Sequence, residues 1–129
     1  MKRILYVEDN PNNMLLIRRI LQAEGHEMIE AVDGESGWNE AVNKQPDLIF
    51  MDLLMPVING FELTRRIKAT PELSHIPIVV LTAYGSLEME QKAREVGCDG
   101  FLHKPADIRQ IQSVIRQFLG VPAAMNYSL

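Results

Sequence analysis

The sequence predicts an α/β domain: a doubly wound, five-stranded parallel sheet with helices on both faces. Two observations lead to this prediction. Short apolar runs alternate five times with segments of helical periodicity. The runs are apolar throughout, as in strands that helices cover on both sides. A length of 129 residues, 47% of them hydrophobic, fits one such core and leaves no room for a second domain.

The predicted strands are short and are separated by turn-forming or helical segments. They are the apolar runs at residues 4–7, 28–32, 48–51, 78–81 and 101–102. The last predicted helix ends near residue 119, and the ten residues that follow carry no charge and little pattern. We therefore expect one domain over residues 1–119 and a short tail over residues 120–129.

Local signals open the intervening helices. Asn10 with the following proline opens helix 1, Asp33 opens helix 2 and Asn59 opens helix 3. Each of these side chains can accept a hydrogen bond from a free N–H of the first turn. Helix 4 is predicted from about residue 87 to 96. Asp107 caps helix 5, with a glutamine three residues later that completes a capping box.

Two helices carry apolar side chains that predict their packing. Helix 5 presents a stripe for burial, formed by Ile108, Ile111, Ile115 and Phe118. Helix 1 has more apolar residues than one buried face needs, namely Met14, Leu15, Leu16, Ile17, Ile20 and Leu21. We expect part of this surplus to face outward, where a partner helix could cover it.

Charge and composition exclude several classes of protein. The chain has 13 Lys and Arg against 17 Asp and Glu, a net charge of −4, whereas nucleic-acid binders are normally basic. No apolar run approaches the roughly 20 residues that span a bilayer. The start of the chain resembles a signal peptide only for a few residues, because Glu8 and Asp9 interrupt it. A single cysteine, Cys98, allows no internal disulfide. We expect a reduced cytoplasmic domain that binds neither nucleic acid nor membrane.

Chemically reactive side chains follow four of the five predicted strands. Glu8 and Asp9 follow strand 1, Asp52 follows strand 3, Thr82 follows strand 4 and Lys104 follows strand 5. In an open parallel sheet the working site lies outside the carboxyl ends of the strands. The sequence therefore predicts three carboxylates, a hydroxyl and an amine at one edge.

This set of side chains favours phosphoryl transfer. Three neighbouring carboxylates repel one another, and oxygen ligands of this kind suit Mg²⁺ or Mn²⁺ rather than zinc. With a cation present, Asp52 can stay ionised and act as a nucleophile that forms an aspartyl phosphate. Lys104 would neutralise phosphoryl oxygens, and the Thr82 hydroxyl would bond to one of them.

Other proteins with this fold class or chemistry fit the sequence less well. A flavodoxin needs a phosphate-binding loop after strand 1, where Glu8 and Asp9 would repel the flavin phosphate. The glycine patterns of P-loop and dinucleotide domains are absent. Phosphatases with an aspartyl nucleophile place an acid two residues after it, and Leu54 stands at that position. Such a phosphatase remains an alternative from the enzyme class.

Four segments carry a resemblance to a known family. They are Val-Glu-Asp-Asn at 7–10, Met-Asp-Leu-Leu-Met-Pro-Val-Ile-Asn-Gly at 51–60, Leu-Thr-Ala at 81–83 and His-Lys-Pro at 103–105. In this order and spacing the chain resembles the receiver domains of response regulators, the phosphoacceptors of two-component signalling. The resemblance covers residues 2 to about 119. It implies the strand order 2-1-3-4-5.

The resemblance also implies how the site works. Asp52 would be the phosphorylated residue. Asp9, Asp52 and the backbone carbonyl of Leu54 would bind Mg²⁺, or Mn²⁺ in its place, with Glu8 acting through water. Lys104 would contact the phosphoryl group.

Further roles are implied around this centre. Thr82 would be the switch hydroxyl and Phe101 the rotating aromatic ring. The bond before Pro105 would be cis, and Leu54 and Tyr84 would tune the lifetime of the phosphoryl group.

The resemblance implies a signalling role. The phosphodonor would be a histidine kinase or a histidine phosphotransfer protein, and the signal would leave by docking to an unidentified downstream protein. The chain would catalyse only its own phosphorylation and dephosphorylation, as a single-domain regulator. The alternatives are a receiver fragment of a longer regulator and, with a poorer fit, an aspartyl-phosphate phosphatase.

Overall fold

The structure, a computed structural model, describes residues 2–55, 58–83 and 85–120. Five parallel strands form one sheet: β1 (Arg3–Val7), β2 (Glu27–Ala31), β3 (Leu48–Met51), β4 (Ile78–Thr82) and β5 (Gly100–His103). Their order is β2-β1-β3-β4-β5, which confirms the predicted 2-1-3-4-5 arrangement. Val7 at the end of β1 pairs with Ala31 of β2 and Met51 of β3, so these three strands end level with one another.

Five helices alternate with the strands: α1 (Pro11–Ala23), α2 (Gly34–Lys44), α3 (Gly60–Lys68), α4 (Leu87–Glu95) and α5 (Ile108–Leu119). The predicted caps are present. The side chains of Asn10, Asp33, Asn59 and Asp107 each accept a hydrogen bond from a first-turn N–H. These caps fix where each loop meets its helix. The capped loops lie at the carboxyl ends of the strands, the edge of the sheet that carries the candidate site.

The core has a layer on each side of the sheet because the side chains of β1 alternate. Ile4 and Tyr6 pack in the layer of α1 and α5, and Leu5 and Val7 pack in the opposite layer with α2 and α3. Alternation continues past the strand, so Glu8 lies on the same side as Tyr6.

Helix exposure follows the sequence prediction in α1 and departs from it in α5. Leu15 and Leu16 are 40% and 47% exposed, which confirms the predicted surplus. Ile111 and Ile115 are buried, but Ile108 is 53% exposed. The prediction for Ile108 was wrong because it stands in the first turn, at the cleft between α5 and Leu16.

Two further predictions concern the ends of segments: the end of the second strand and the start of the C-terminal tail. The second apolar run was predicted through residue 32, but β2 ends at Ala31 and Val32 is 60% exposed in the loop before α2. Residues 121–129 of the predicted tail lie outside the described residues, as does Tyr84. Across the ranges described above, no helix is both long and apolar enough to cross a membrane.

Candidate functional site

The ends of β1 and β3 hold the two buried carboxylates of the site. The N–H of Glu8 donates to the Ala31 carbonyl at 2.9 Å, and the N–H of Asp52 donates to the Val7 carbonyl at 3.1 Å. Sheet pairing therefore continues one residue beyond each strand. Glu8 is 1% exposed and Asp52 is 7% exposed, so both acids are placed by the rigid sheet rather than by a free loop.

Asp9 completes an acidic cluster with Glu8 and Asp52. Each residue offers one carboxylate oxygen, and the three oxygens lie within 4.8 Å of one another. Asp9 is exposed, which opens the cluster to solvent. Oxygen atoms at this spacing can share one hard divalent cation, so the cluster fits the metal expected from the sequence.

Lys104 brings a positive charge to the cluster from the end of β5. Its N–H donates to the Thr82 carbonyl at 2.8 Å, and the Lys104–Pro105 peptide bond is cis. The Nζ atom donates to Glu8 Oε1 at 2.5 Å and to Asp52 Oδ2 at 3.4 Å. One amine thus bridges two carboxylates and lies next to the proposed acceptor.

The cluster carries more negative charge than its contacts neutralise. The pKa of the Glu8 carboxyl is raised to about 7: burial is the largest cause and the neighbouring Asp52 carboxyl adds to it, while the hydrogen bonds from Lys104 and Asn13 oppose the shift. Among the described residues, Lys104 is the one cation in contact with these acids. A divalent cation would supply the missing positive charge.

The sequence analysis did not identify Asn13 as a site residue. Its side-chain amide donates to Glu8 Oε1 at 2.5 Å from the first turn of α1. The available signal was its position: three residues after the Asn10 cap, it comes round to the side where the helix faces the acidic loop. Its contact means that Glu8 Oε1 receives two donors.

The predicted switch residues lie on β4 and β5. Thr82 is fully buried at the end of β4. Phe101 is partly buried and packs on the cluster that contains Val80 and Cys98, with its ring 5.2 Å from the His103 ring in an edge contact. Thr82 and Phe101 therefore lie on paired neighbouring strands, although they do not face each other in the register.

Leu54 stands at the exposed rim of the site. Its N–H lies 3.4 Å from Asp52 Oδ1, and its side chain is 45% exposed. Tyr84, the other predicted lifetime residue, lies outside the described residues. Leu54 is thus placed where a side chain can influence access to Asp52.

Gly60 allows the loop after β3 to fold back under the acceptor. A Cβ atom at this position would lie 2.2 Å from the Asp52 carbonyl oxygen. The Gly60 N–H donates to the Leu53 carbonyl at 2.9 Å. A residue with a side chain would push α3 away from Asp52, so this glycine is part of how the site is built.

Comparison with known proteins identifies the same family as the sequence motifs. Residues 4–116 match the model of the response regulator receiver domain. The polar-differentiation response regulator DivK of Brucella anthropi is 35% identical over 119 residues, which cover 92% of this chain and 97% of that protein.

Solved structures agree with this match. The chemotaxis protein CheY4 of Vibrio cholerae has a TM-score of 0.86 at 29% identity, covering 92% of this chain and 99% of that one. The receiver domain of a sensor histidine kinase from Pseudomonas aeruginosa has a TM-score of 0.85 at 30% identity, covering 92% and 98%. That second structure has a magnesium ion coordinated in its active site cleft.

Proposed function

The chain belongs to the response regulator receiver domain family, and from this membership we propose that Asp52 is its phosphoacceptor. One observation carries the assignment: the Asp52 carboxylate lies 3.4 Å from Lys104 Nζ and within 4.8 Å of oxygens of Glu8 and Asp9. Asp33, which also follows a strand, accepts hydrogen bonds from Ser36 as a helix cap and is not part of the acidic cluster.

The reaction forms a P–O bond to an Asp52 carboxylate oxygen as the bond from phosphorus to the donor breaks. With a phosphohistidine donor the P–N bond breaks and the imidazole leaves, taking up a proton. Lys104 neutralises charge on the phosphoryl oxygens, and Asp52 is held for attack by its backbone bond to β1. Positioning and charge neutralisation are the main contributions a protein makes to such a transfer.

A divalent cation fits the acidic cluster. Asp9, Asp52 and the Leu54 carbonyl would hold it, with Glu8 acting through water. Mg²⁺, or Mn²⁺ in its place, would supply positive charge where the phosphoryl group binds. The raised pKa of Glu8 supports this assignment, because burial and the neighbouring Asp52 carboxyl outweigh the one cation, Lys104, that contacts it.

We propose that phosphorylation is read out through Thr82 and Phe101. The Thr82 hydroxyl would bond to the phosphoryl group, and the Phe101 ring would turn inward. The Phe101 ring is partly buried against the cluster that contains Cys98 and makes an edge contact with His103. Its inward turn would therefore be a population shift between this arrangement and a second one. The partners would be a histidine kinase or histidine phosphotransfer protein and a downstream protein that docks, all in the cytoplasm.

Phosphorylation with acetyl phosphate or phosphoramidate tests the acceptor. In Mg²⁺ the intact mass should increase by one phosphoryl group, and EDTA should abolish the increase. Asp52→Asn should remain unmodified. Asp33→Asn is the matched control, because it changes a strand-end carboxylate outside the cluster and asparagine still caps a helix. Modification of Asp52→Asn at the wild-type level, or complete modification in EDTA, would contradict the proposal.

A second experiment tests the proposed donor and the limits of the activity. Purified histidine kinases of the host, loaded with labelled phosphate, should transfer the label to the wild type and not to Asp52→Asn. The chain should then lose the label by its own hydrolysis and should not turn over an added phosphate monoester. Steady hydrolysis of such a monoester would favour a phosphatase instead.

A further inference from the structure

Tyr6 lies directly beneath the acidic cluster. It is fully buried and stands two residues before Glu8, so the two side chains project from the same face of the strand end. Its ring packs edge-on against Phe50 at 6.3 Å. The ring is therefore fixed by the core, and the hydroxyl is carried toward the site.

Two polar atoms in this region are buried without a partner. The Tyr6 hydroxyl and Glu8 Oε2 both lack a hydrogen bond to any residue that the structure describes. The other oxygen of the same carboxylate, Oε1, accepts from both Asn13 and Lys104. A buried donor and a buried acceptor left unused side by side each cost free energy, and they are complementary.

The two groups are close enough to influence each other. Burial is the largest cause of the raised pKa of Tyr6, and the charge of Glu8 is the next. A cleft of about 330 Å³ is lined by Tyr6, Asn13 and Lys104 among other residues.

We propose that the Tyr6 hydroxyl donates a hydrogen bond to Glu8 Oε2 and positions the carboxylate for the divalent cation. Asn13 and Lys104 both draw on Oε1, so without Tyr6 the other oxygen has no fixed direction. Held from both oxygens, Glu8 keeps one orientation. Tyr6 is thus a positioning residue that acts through Glu8, and the inference rests on the metal site of the proposed function.

Tyr6→Phe removes the hydroxyl and keeps the ring. In a calorimetric titration of metal-free protein with Mg²⁺, this variant should bind about tenfold more weakly, the lower end of losses on removing an outer-shell partner. Thr64→Val is the matched control. Thr64 is a second fully buried hydroxyl without a partner in the described ranges, on α3, and its loss should leave Mg²⁺ affinity unchanged.

A double-mutant cycle tests whether Tyr6 acts through Glu8. In a Glu8→Gln background, Tyr6→Phe should cause no further loss of Mg²⁺ affinity, because the carboxylate it positions is gone. A tenfold loss that persists in this background would overturn the proposal. So would a Tyr6→Phe single variant that melts higher than the wild type and binds Mg²⁺ equally well, which is the behaviour of an idle buried hydroxyl.

A spectroscopic readout gives an independent measure. With fluorotyrosine incorporated, the ¹⁹F signal that Tyr6→Phe removes should shift on adding Mg²⁺ and should not shift in Glu8→Gln. An unmoved signal in the wild type at saturating Mg²⁺ counts against the proposal. Failure of Asp52 to accept phosphate would refute the proposed function and leave these Mg²⁺ measurements to decide the role of Tyr6.

Discussion

Two buried glutamates at opposite ends of α1 are each bonded to a cation from another element. Glu8, just before α1, contacts Lys104 at 2.5 Å. Glu24, the C-cap of α1, contacts Arg116 of α5 at 2.9 Å. Their side chains are 1% and 4% exposed. In both, Oε1 accepts from the cation and Oε2 has no partner among the residues described.

The neighbours of the two pairs differ. Asp9 and Asp52 surround Glu8, and Lys104 divides its contacts between two acids. Glu24 interacts with the His26 ring, and burial lowers the pKa of His26, which favours its neutral form. The Glu24 pair is thus balanced and ties α1 to α5. The Glu8 cluster has unmatched negative charge, and this charge distinguishes a functional site from a structural ion pair.

The largest expected effect comes from breaking the balanced pair. Arg116→Met should lower the free energy of unfolding by about 3–5 kcal/mol, because it leaves the Glu24 carboxylate buried without its partner. Urea denaturation measures the loss. The variant should keep the full response to Mg²⁺ in a melting experiment, since Glu24 is at the far end of α1.

Lys104→Met is the corresponding change at the site. Its cost should be smaller at pH 6, because the Glu8 carboxyl, with a pKa of about 7, can take up a proton instead. Mg²⁺ should offset part of the loss by replacing the missing positive charge. If Mg²⁺ rescued Arg116→Met as well as Lys104→Met, the distinction between the two pairs would be wrong.

The next largest effect is a pH dependence that belongs to Glu8. Its pKa rises from 4.5 to about 7 on folding, so between these values the folded protein holds a proton that the unfolded chain has lost. Rising pH therefore favours unfolding, and metal-free stability should fall by about 3 kcal/mol from pH 4.5 to 7. Denaturation midpoints across this range measure the slope.

Two variants assign this slope. Glu8→Gln should remove it, and Glu24→Gln should preserve it. Saturating Mg²⁺ should also flatten the slope in the wild type, because the cation favours the ionised carboxylate. A slope unchanged in Glu8→Gln would assign the pH dependence to other groups.

Mg²⁺ itself should raise the stability of the wild type by a slightly smaller amount. Binding to the folded state alone adds about 2.7 kcal/mol when the cation is at a hundredfold excess over its Kd. For a chain of this length the melting temperature should rise by about 10 °C. Asp9→Ala should lose most of this response and could be more stable without metal, since one repelling charge is gone.

Asn12→Ala is the control for Asp9→Ala. Asn12 is exposed in the first turn of α1, close to Asp9 in the chain, and carries no charge. It should respond to Mg²⁺ as the wild type does. A wild type whose melting temperature does not move across millimolar Mg²⁺ would rule out a preformed cation site.

Sequence reasoning predicted the fold and the unbalanced cluster for one physical reason. Parallel strands end at the same edge, so Glu8, Asp52 and Lys104 had to converge once the strands were identified. The helix caps were equally predictable, because Asp33 and Asp107 bond within four residues of themselves. Both features depend only on residues close in sequence or on the order of the strands, which the sequence pattern indicates.

Pairing between distant side chains was not predictable in this way. The bond between Glu24 and Arg116 joins residues 92 positions apart, and it depends on how the ends of α1 and α5 meet. Ile108 fits an apolar stripe by spacing, but its exposure depends on the cleft beside it. Likewise, the sequence indicates only a core residue at Tyr6, because the direction of its hydroxyl depends on the folded structure.

The smallest expected effect concerns how water enters the unbalanced site. Hydrolysis of the aspartyl phosphate needs an in-line water and a group that holds it. Leu54 stands at the rim, 45% exposed, and has no polar atom. Leu54→Asn should therefore speed dephosphorylation by about tenfold, equivalent to about 1.4 kcal/mol of barrier. Val42→Asn, at an apolar position 42% exposed on α2, is the matched control and should not change the rate.

Tyr84 allows two opposite results, and the measurement separates them. A bulky ring that excludes water predicts that Tyr84→Glu speeds decay and that the double variant with Leu54→Asn is fastest. A hydroxyl that holds the water predicts instead that Tyr84→Phe slows decay. Loss of label after removal of the phosphodonor gives each rate. The expected barrier change is the size of one well-placed hydrogen bond. If the wild type decays faster than Leu54→Asn, the explanation that Leu54 excludes water is wrong.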